Sequence, residues 1–386
     1  MKAILNIQTF KEHTALTSRA ISPKAVNPIF SHLKLLADRS ANKISVTGTN
    51  SVITITTSFE AEVIEEGTIL INADKLNSLL ERLGIGELTL TRINSEAEIS
   101  IHAEEYGSFA LPTVAEEFPE ISSQISKEHF AVNSEQLYSA LKKTFYAAAA
   151  DGAYKLRLRA AESAPHETRQ IMAGVHFTLG NILELAATDG HKLAVSISQT
   201  RISESIKEMT VPADALKQLC WALDKLPAGE VFISVDGDSC ITFVLGEFSL
   251  TGRLLAGDYP KYQQLFPEKF SRSLYVDRAS FLSGLARVSL FHEQDRLVNI
   301  ELIPESKQLV LSTSSSNSGR GTTTIAADIE GDAFSIYFNC KYLTDILRHM
   351  QATKILIQFN EANQPALLSD PMPPQTKCLL MPIQKR

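Results

Sequence analysis

FAVNSEQLYSALKKTFYAA, residues 130–148, decides how the chain is read, because its grammar occurs three times. A short apolar strand runs into polar capping residues, and a helix pattern follows with Leu137 and Leu141 one turn apart on one face. ILNIQTFKEHTALTSRAI (4–21) and LYVDRASFLSGLARVSL (274–290) repeat it, with Phe10 and Phe281 in the place of Leu137 and Leu285 in that of Leu141. Thr9-x-x-Glu12 reads as a capping box at the start of the first of these helices.

A second trio follows the same rule: TILINADKLNSLLERLG (68–84), MTVPADALKQLCWALDKLP (209–227) and FSIYFNCKYLTDILRHM (334–350), with Leu76, Leu216 and Leu343 corresponding. Between the helices lie runs of period-two alternation broken by turn residues, and Asp236-Gly237 is a hairpin signal. FALPTVAEEFPEI (109–121) and FSLTGRLLAGDYPKYQQLFP (248–267) end the first two modules alike, in an aromatic-Pro pair. The boundaries fall near 125 and 270, giving modules 1–125, 126–270 and 271–386. Two helices and several strands each, without parallel β-helix-β alternation, predict an α+β domain used three times.

The 386 residues exceed what one core usually supports, and the composition is that of a globular chain. No apolar run approaches a membrane span and the N-terminus has no secretory pattern, so a cytoplasmic protein is expected. Cys220, Cys240, Cys340 and Cys378 stand apart, as buried free thiols would. The net charge of −7 argues against nucleic acid unless the charge is uneven, and it is: the six helix segments sum to +5. Two readings of that remain open, ordinary solvated helix faces or a phosphate-binding surface confined to the helices.

ATDGHKLAV (187–195) sets Asp189 and His191 around a glycine. An acid–base dyad needs a nucleophile and an anion site, and no G-x-S-x-G, H-E-x-x-H or Cys/His motif accompanies it. The other histidines are scattered singly, which argues against a metal, and Asp-Gly suits a tight turn.

Seven stretches in order, NPIFSHLKLLA (27–37), SVTGTNSVITI (45–55), FALPTVAEEFPEI, ATDGHKLAV, DYPKYQQLFP (258–267), FNCKYLTDIL (338–347) and CLLMPIQKR (378–386), resemble the bacterial replicative sliding clamp, the beta subunit of DNA polymerase III. The resemblance implies a ring-forming homodimer of three clamp domains per chain, helices packed on antiparallel sheets, that encircles duplex DNA without reading its sequence and catalyses nothing. The implied partners are the polymerase III alpha subunit, the clamp loader, and other polymerases and mismatch-repair proteins docking through short linear peptides. No cofactor, metal or membrane is implied; any ATP belongs to the loader.

The resemblance also places a peptide groove at Met172, Thr188, Gly190, His191, Lys192, Leu193, Pro260, Gln264, Leu265, Asn339, Tyr342, Leu379, Leu380, Met381, Pro382 and Ile383. The apolar chain end reads equally as a last core strand and as a groove wall. For DNA it points to Lys24 in the loop after the first helix, and the helices add Lys75, Arg82, Lys142, Lys143, Lys217, Arg278, Arg287, Lys341 and Arg348. The ring interface would join Phe109 and Leu111 to Ser289 and Leu290, with Phe109 and Leu290 reading nearly as well as ordinary core packing. Gln264 stands where the family often has Arg, and Asp295 where an apolar groove residue can occur. Residues 147–169 are longer than the family's connection, their YKLRLR reading as a basic loop or an extra strand. STSSSNSGRGTTT (312–324) reads as a mobile connection, with Gly319-Arg320-Gly321 a weak phosphate-cradle candidate.

Overall fold

The computed structural model describes the chain except residues 22–26, 93–96, 115–116, 120–128, 150–169, 199–201, 203–205, 238, 293–295, 316, 372–375 and 385–386. Six helices stand where the two trios predict them: α1 (Ile7–Ser18), α2 (Ala73–Leu80), α3 (Ser134–Thr144), α4 (Ala213–Lys225), α5 (Arg278–Val288) and α6 (Cys340–His349). Among the described residues the order strand, helix, four or five strands, helix, three strands occurs three times, and every strand pairing is antiparallel.

At four of these junctions the strand passes into its helix through a side-chain cap. Asn6, Asn72, Asp277 and Asn339 cap α1, α2, α5 and α6 by accepting N–H bonds of the first turn. The first helix therefore starts three residues before the expected capping box: Asn6 Oδ1 accepts from Thr9 N–H at 3.0 Å, and Thr9 lies inside the helix. Asparagine at the end of a strand reaches the free amides sooner than Thr9 can.

The chain forms two compact units that cut across the sequence modules. One holds residues 1–135 and 214–254, the other 136–213 and 255–386. The cause is strand pairing between modules. In the first unit Phe248–Gly252 pairs with Ile53–Thr57, which joins strands of the first and second modules into a sheet of thirteen strands. In the second unit Lys192–Ser196 pairs with Thr376–Leu380, which joins the second and third modules into a sheet of twelve. The core of the first unit gathers Phe10, Leu76, Leu80, Leu90, Ile99 and Ile101 between helices and sheet, with Phe109 and Leu111 half-buried against it.

The Ser/Thr-rich segment departs from expectation. It is a hairpin of strands Gln308–Ser315 and Gly319–Glu330, closed at Ser315 opposite Gly319. Inward Leu311 and Ile325 anchor it under α5, where Gly284 leaves room that a Cβ would take from both side chains. Gly319-Arg320-Gly321 is paired strand with no helix after it, so it forms no phosphate cradle. The Asp236-Gly237 hairpin is present, with Gly237 at φ 55°. Cys220, Cys340 and Cys378 are buried free thiols, and Cys240 is half-buried. Residues 150–169 of the long connection lie outside the described residues.

Candidate functional site

The strands Leu183–Thr188 and Lys192–Ser198 are joined by Asp189-Gly190-His191. Asp189 organises the turn: its Oδ1 accepts the backbone N–H groups of His191 (2.9 Å) and Lys192 (3.0 Å), and its Oδ2 accepts from Lys192 Nζ (2.6 Å). Thr188 Oγ1 donates to the Lys192 carbonyl and accepts from Gly190 N–H. Gly190 sits at φ 84°, where a side chain is strained. The Asp189 carboxylate is thus engaged by backbone amides and a buried ammonium, the arrangement of a braced turn and not of an acid–base dyad.

The turn presents His191 outward, its ring stacked 5.7 Å from that of Tyr342 at 19°. Lys192 Nζ lies 4.8 Å from the centre of the same ring, so the Asp189–Lys192 pair sits under Tyr342 and lowers the cost of burying that ammonium. Leu193 faces Leu379 across the strand pair, and both join Ala186, Val195, Tyr262 and Leu367 in an apolar cluster. Leu265 stands 56 % exposed beside this cluster's Tyr262 on the turn Tyr262–Leu265, together with exposed Gln264. Past Leu380, the chain end is tied down twice, by Met381 N–H to the His191 carbonyl (2.9 Å) and by Ile383 N–H to the Tyr337 carbonyl (2.8 Å). The last residues are therefore at once a core strand, through Leu379 and Leu380, and a wall, through Met381 at 44 % exposure with Pro382 and Ile383 half-buried.

Asn339 has a task sequence reading did not assign: its side chain caps α6 and fixes the start of the helix that carries Tyr342. Met172 lies half-buried just before strand Gly174–Leu179, its carbonyl accepting from Ala149 N–H. Pro260 precedes the Tyr262 turn and accepts its N–H. Asp295 and Lys24 lie outside the described residues. Tyr259 was missed: its hydroxyl oxygen accepts Thr188 N–H at 3.1 Å. The only trace of it in the sequence is the aromatic-Pro pair that closes two modules.

Of the helix cations, Lys75, Arg82, Lys142, Lys217, Arg287, Lys341 and Arg348 are exposed. Two differ from expectation. Lys143 is only 6 % exposed and its charge faces Asp370, because α3 turns that position inward. Arg278 donates to the carbonyls of Ala352 and Leu347, satisfying backbone at the end of α6 instead of facing solvent. Lys217 is held by Asp214 at 2.7 Å, which offsets part of its field. Ser289 and Leu290 follow α5, and Leu290 is 78 % exposed. Among the described residues no cluster of His, Cys, Asp and Glu could hold a metal ion, and no helix is long and apolar enough to cross a membrane.

Three family models match in order: the N-terminal domain of the DNA polymerase III beta subunit over residues 1–122, the central domain over 157–261 and the C-terminal domain over 263–384. The chain is 31 % identical to the beta sliding clamp of Synechococcus elongatus over 391 residues, covering all of both, and 30 % identical to that of Synechocystis over 403 residues, covering 100 % of this chain and 99 % of that one. Its fold matches the DNA polymerase sliding clamp of Bacillus subtilis with a TM-score of 0.88 at 22 % identity, each chain covered in full. The Bartonella birtlesii clamp, solved with griselimycin bound, matches equally at 24 % identity and full coverage. With these matches spanning the repeated modules from end to end, the chain belongs to the DNA polymerase III beta subunit family, the non-catalytic sliding clamps of DNA replication.

Proposed function

We propose that two copies of this chain, each with domains 1–125, 126–270 and 271–386, close head to tail into a ring that surrounds duplex DNA in the cytoplasm. One observation carries this reading. The third strand after the first helix of a module pairs with the last strand of the next module, Ile53–Thr57 with Phe248–Gly252 and Lys192–Ser196 with Thr376–Leu380. The third module's counterpart, Gly319–Glu330, and the first module's last strand, Gly107–Val114, have no such partner among the described residues. Over 319–325 and 107–112 their outward edges carry no strand among the described residues. Exposed edges invite pairing, and a second copy supplies the missing strand. Half-buried Phe109 and Leu111 then meet exposed Leu290 beside Ser289.

Exposed Lys75, Arg82, Lys142, Lys217, Arg287, Lys341 and Arg348 face the DNA backbone in this reading, and binding weakens as salt rises. The groove of His191, Tyr342, Leu265 and Met381 receives short peptides of the polymerase III alpha subunit, the clamp loader, other polymerases and mismatch-repair proteins. The test is retention on nicked circular DNA after loading by a clamp loader with ATP. Retention lost when the circle is cut supports topological linkage; equal retention on circle and linear DNA overturns it.

A further inference from the structure

The turn that carries His191 is held from behind by a side chain no part of the peptide-binding reading uses. Strand Gly174–Leu179 pairs with Leu183–Ala186 and stops there, His176 opposite Ala186. Two residues later, the N–H of buried Thr188 lies past the last pair of that ladder among the described residues, and a buried amide left unpaired is costly. Tyr259 supplies the acceptor, its hydroxyl oxygen 3.1 Å from Thr188 N.

Tyr259 is itself fixed on two sides. The His176 ring stacks on it at 4.8 Å and 13°, and Tyr262 meets it edge-on at 6.1 Å and 80°. His176 is anchored in turn by Thr210 Oγ1 at 3.1 Å, and the Tyr262 hydroxyl donates to Glu184. Burial pushes the Tyr259 phenol well above its ordinary range, so it stays neutral. The other end of the linkage is functional, because Thr188 Oγ1 sets both the Gly190 amide and the Lys192 carbonyl. In the first module the aromatic-Pro pair is Phe118-Pro119, and phenylalanine offers no acceptor.

We infer that Tyr259 is a positioning residue for peptide recognition, its hydroxyl holding Thr188 and through it the orientation of His191 and Lys192 in the groove. The inference rests on the reading that this groove binds the polymerase alpha subunit.

The test compares the full-length protein with Tyr259→Phe, which keeps the ring and removes the acceptor, and with Tyr146→Phe, which removes a different buried hydroxyl, one 3.3 Å from Cys378 Sγ. Affinity for the purified alpha subunit is measured by surface plasmon resonance, alongside amide hydrogen exchange at Thr188. Tyr259→Phe is expected to speed exchange at Thr188 and weaken alpha binding about fivefold, the size of one net hydrogen bond. Tyr146→Phe is expected to leave both unchanged. Faster exchange with unaltered affinity overturns the positioning role, and so does an equal loss in Tyr146→Phe, which would mark a general effect of lost buried hydroxyls. If the unaltered protein fails to bind alpha, the groove reading fails and the inference falls with it.

Discussion

The turn Thr49–Ile53 in the first unit and the turn Thr188–Lys192 in the second are built from the same hydrogen bonds. Asn50 Oδ1 accepts from Val52 and Ile53 N–H at 3.0 and 2.9 Å, as Asp189 Oδ1 does from His191 and Lys192. Thr49 Oγ1 donates to the Ile53 carbonyl and accepts from Ser51 N–H, as Thr188 does one module later. Even the tether from the next module is repeated, Arg253 N–H to the Val52 carbonyl against Met381 N–H to that of His191. The constellation that first suggests chemistry is therefore a device for joining modules. What separates the two turns is the side chains they carry: Val52 and Ile53 in one, His191, Lys192 and the Tyr342 ring above them in the other.

The largest test of that contrast is to make the second turn carry the first one's residues: Asp189→Asn, Gly190→Ser, His191→Val and Lys192→Ile together. The backbone bonds survive, so the fold should persist by circular dichroism while alpha-subunit affinity falls at least about tenfold, or ~1.4 kcal/mol. Retained affinity would locate recognition outside the turn.

In folding stability, as distinct from affinity, the largest difference is the buried ion pair, which the first turn lacks. Asp189→Ala leaves the Lys192 ammonium buried without its carboxylate and should cost about 3 kcal/mol in urea unfolding. Asn50→Ala removes amide acceptors alone and should cost about 1 kcal/mol. Equal losses would mean that the Asp189–Lys192 pair adds nothing.

Smaller effects of opposite sign are expected at the central residue. Gly190 has φ 84° and Ser51 φ 70°. Gly190→Ala should destabilise by about 1 kcal/mol, and Ser51→Gly should stabilise by a few tenths to about 1 kcal/mol. A shift of the same sign in both would show that the turns differ in backbone strain.

The least effect is on pH dependence. His13 bonds Thr57 on the strand after the first turn, and His176 backs Tyr259 behind the second. Burial lowers the pKa of both rings below the ordinary 6.5, partly opposed by Glu12 and Glu247 at His13 and by Glu208 at His176. In acid the unfolded chain takes up these protons before the folded chain does, so stability is complete above about pH 6.5 and declines as pH falls through it. Thermal unfolding from pH 7.5 to 5.5 should show the decline, and His176→Phe should flatten it. An unchanged profile would assign the decline to His13 or to other groups.

The sequence alone carried the threefold repeat, the six helices, the hairpin at Asp236-Gly237 and the family, because each rests on local periodicity, turn chemistry or motif order. Helix starts were legible to within three residues, the miss at α1 arising because Asn6 and Thr9 compete for the same amides. The hairpin over 308–330 was not legible: Ser and Thr suit loops and strands alike, and only the contacts of Leu311 and Ile325 beneath Gly284 select the strand. Tertiary structure also decided which cations point outward, since Lys142 and Lys143 are neighbours in sequence yet α3 exposes one and turns the other toward Asp370. It decided that Asn339 is a cap and that Tyr259 braces Thr188 from 71 residues away. Local pattern records what a segment prefers. Which distant atom satisfies a buried amide or faces a buried charge exists only after the sheets have paired.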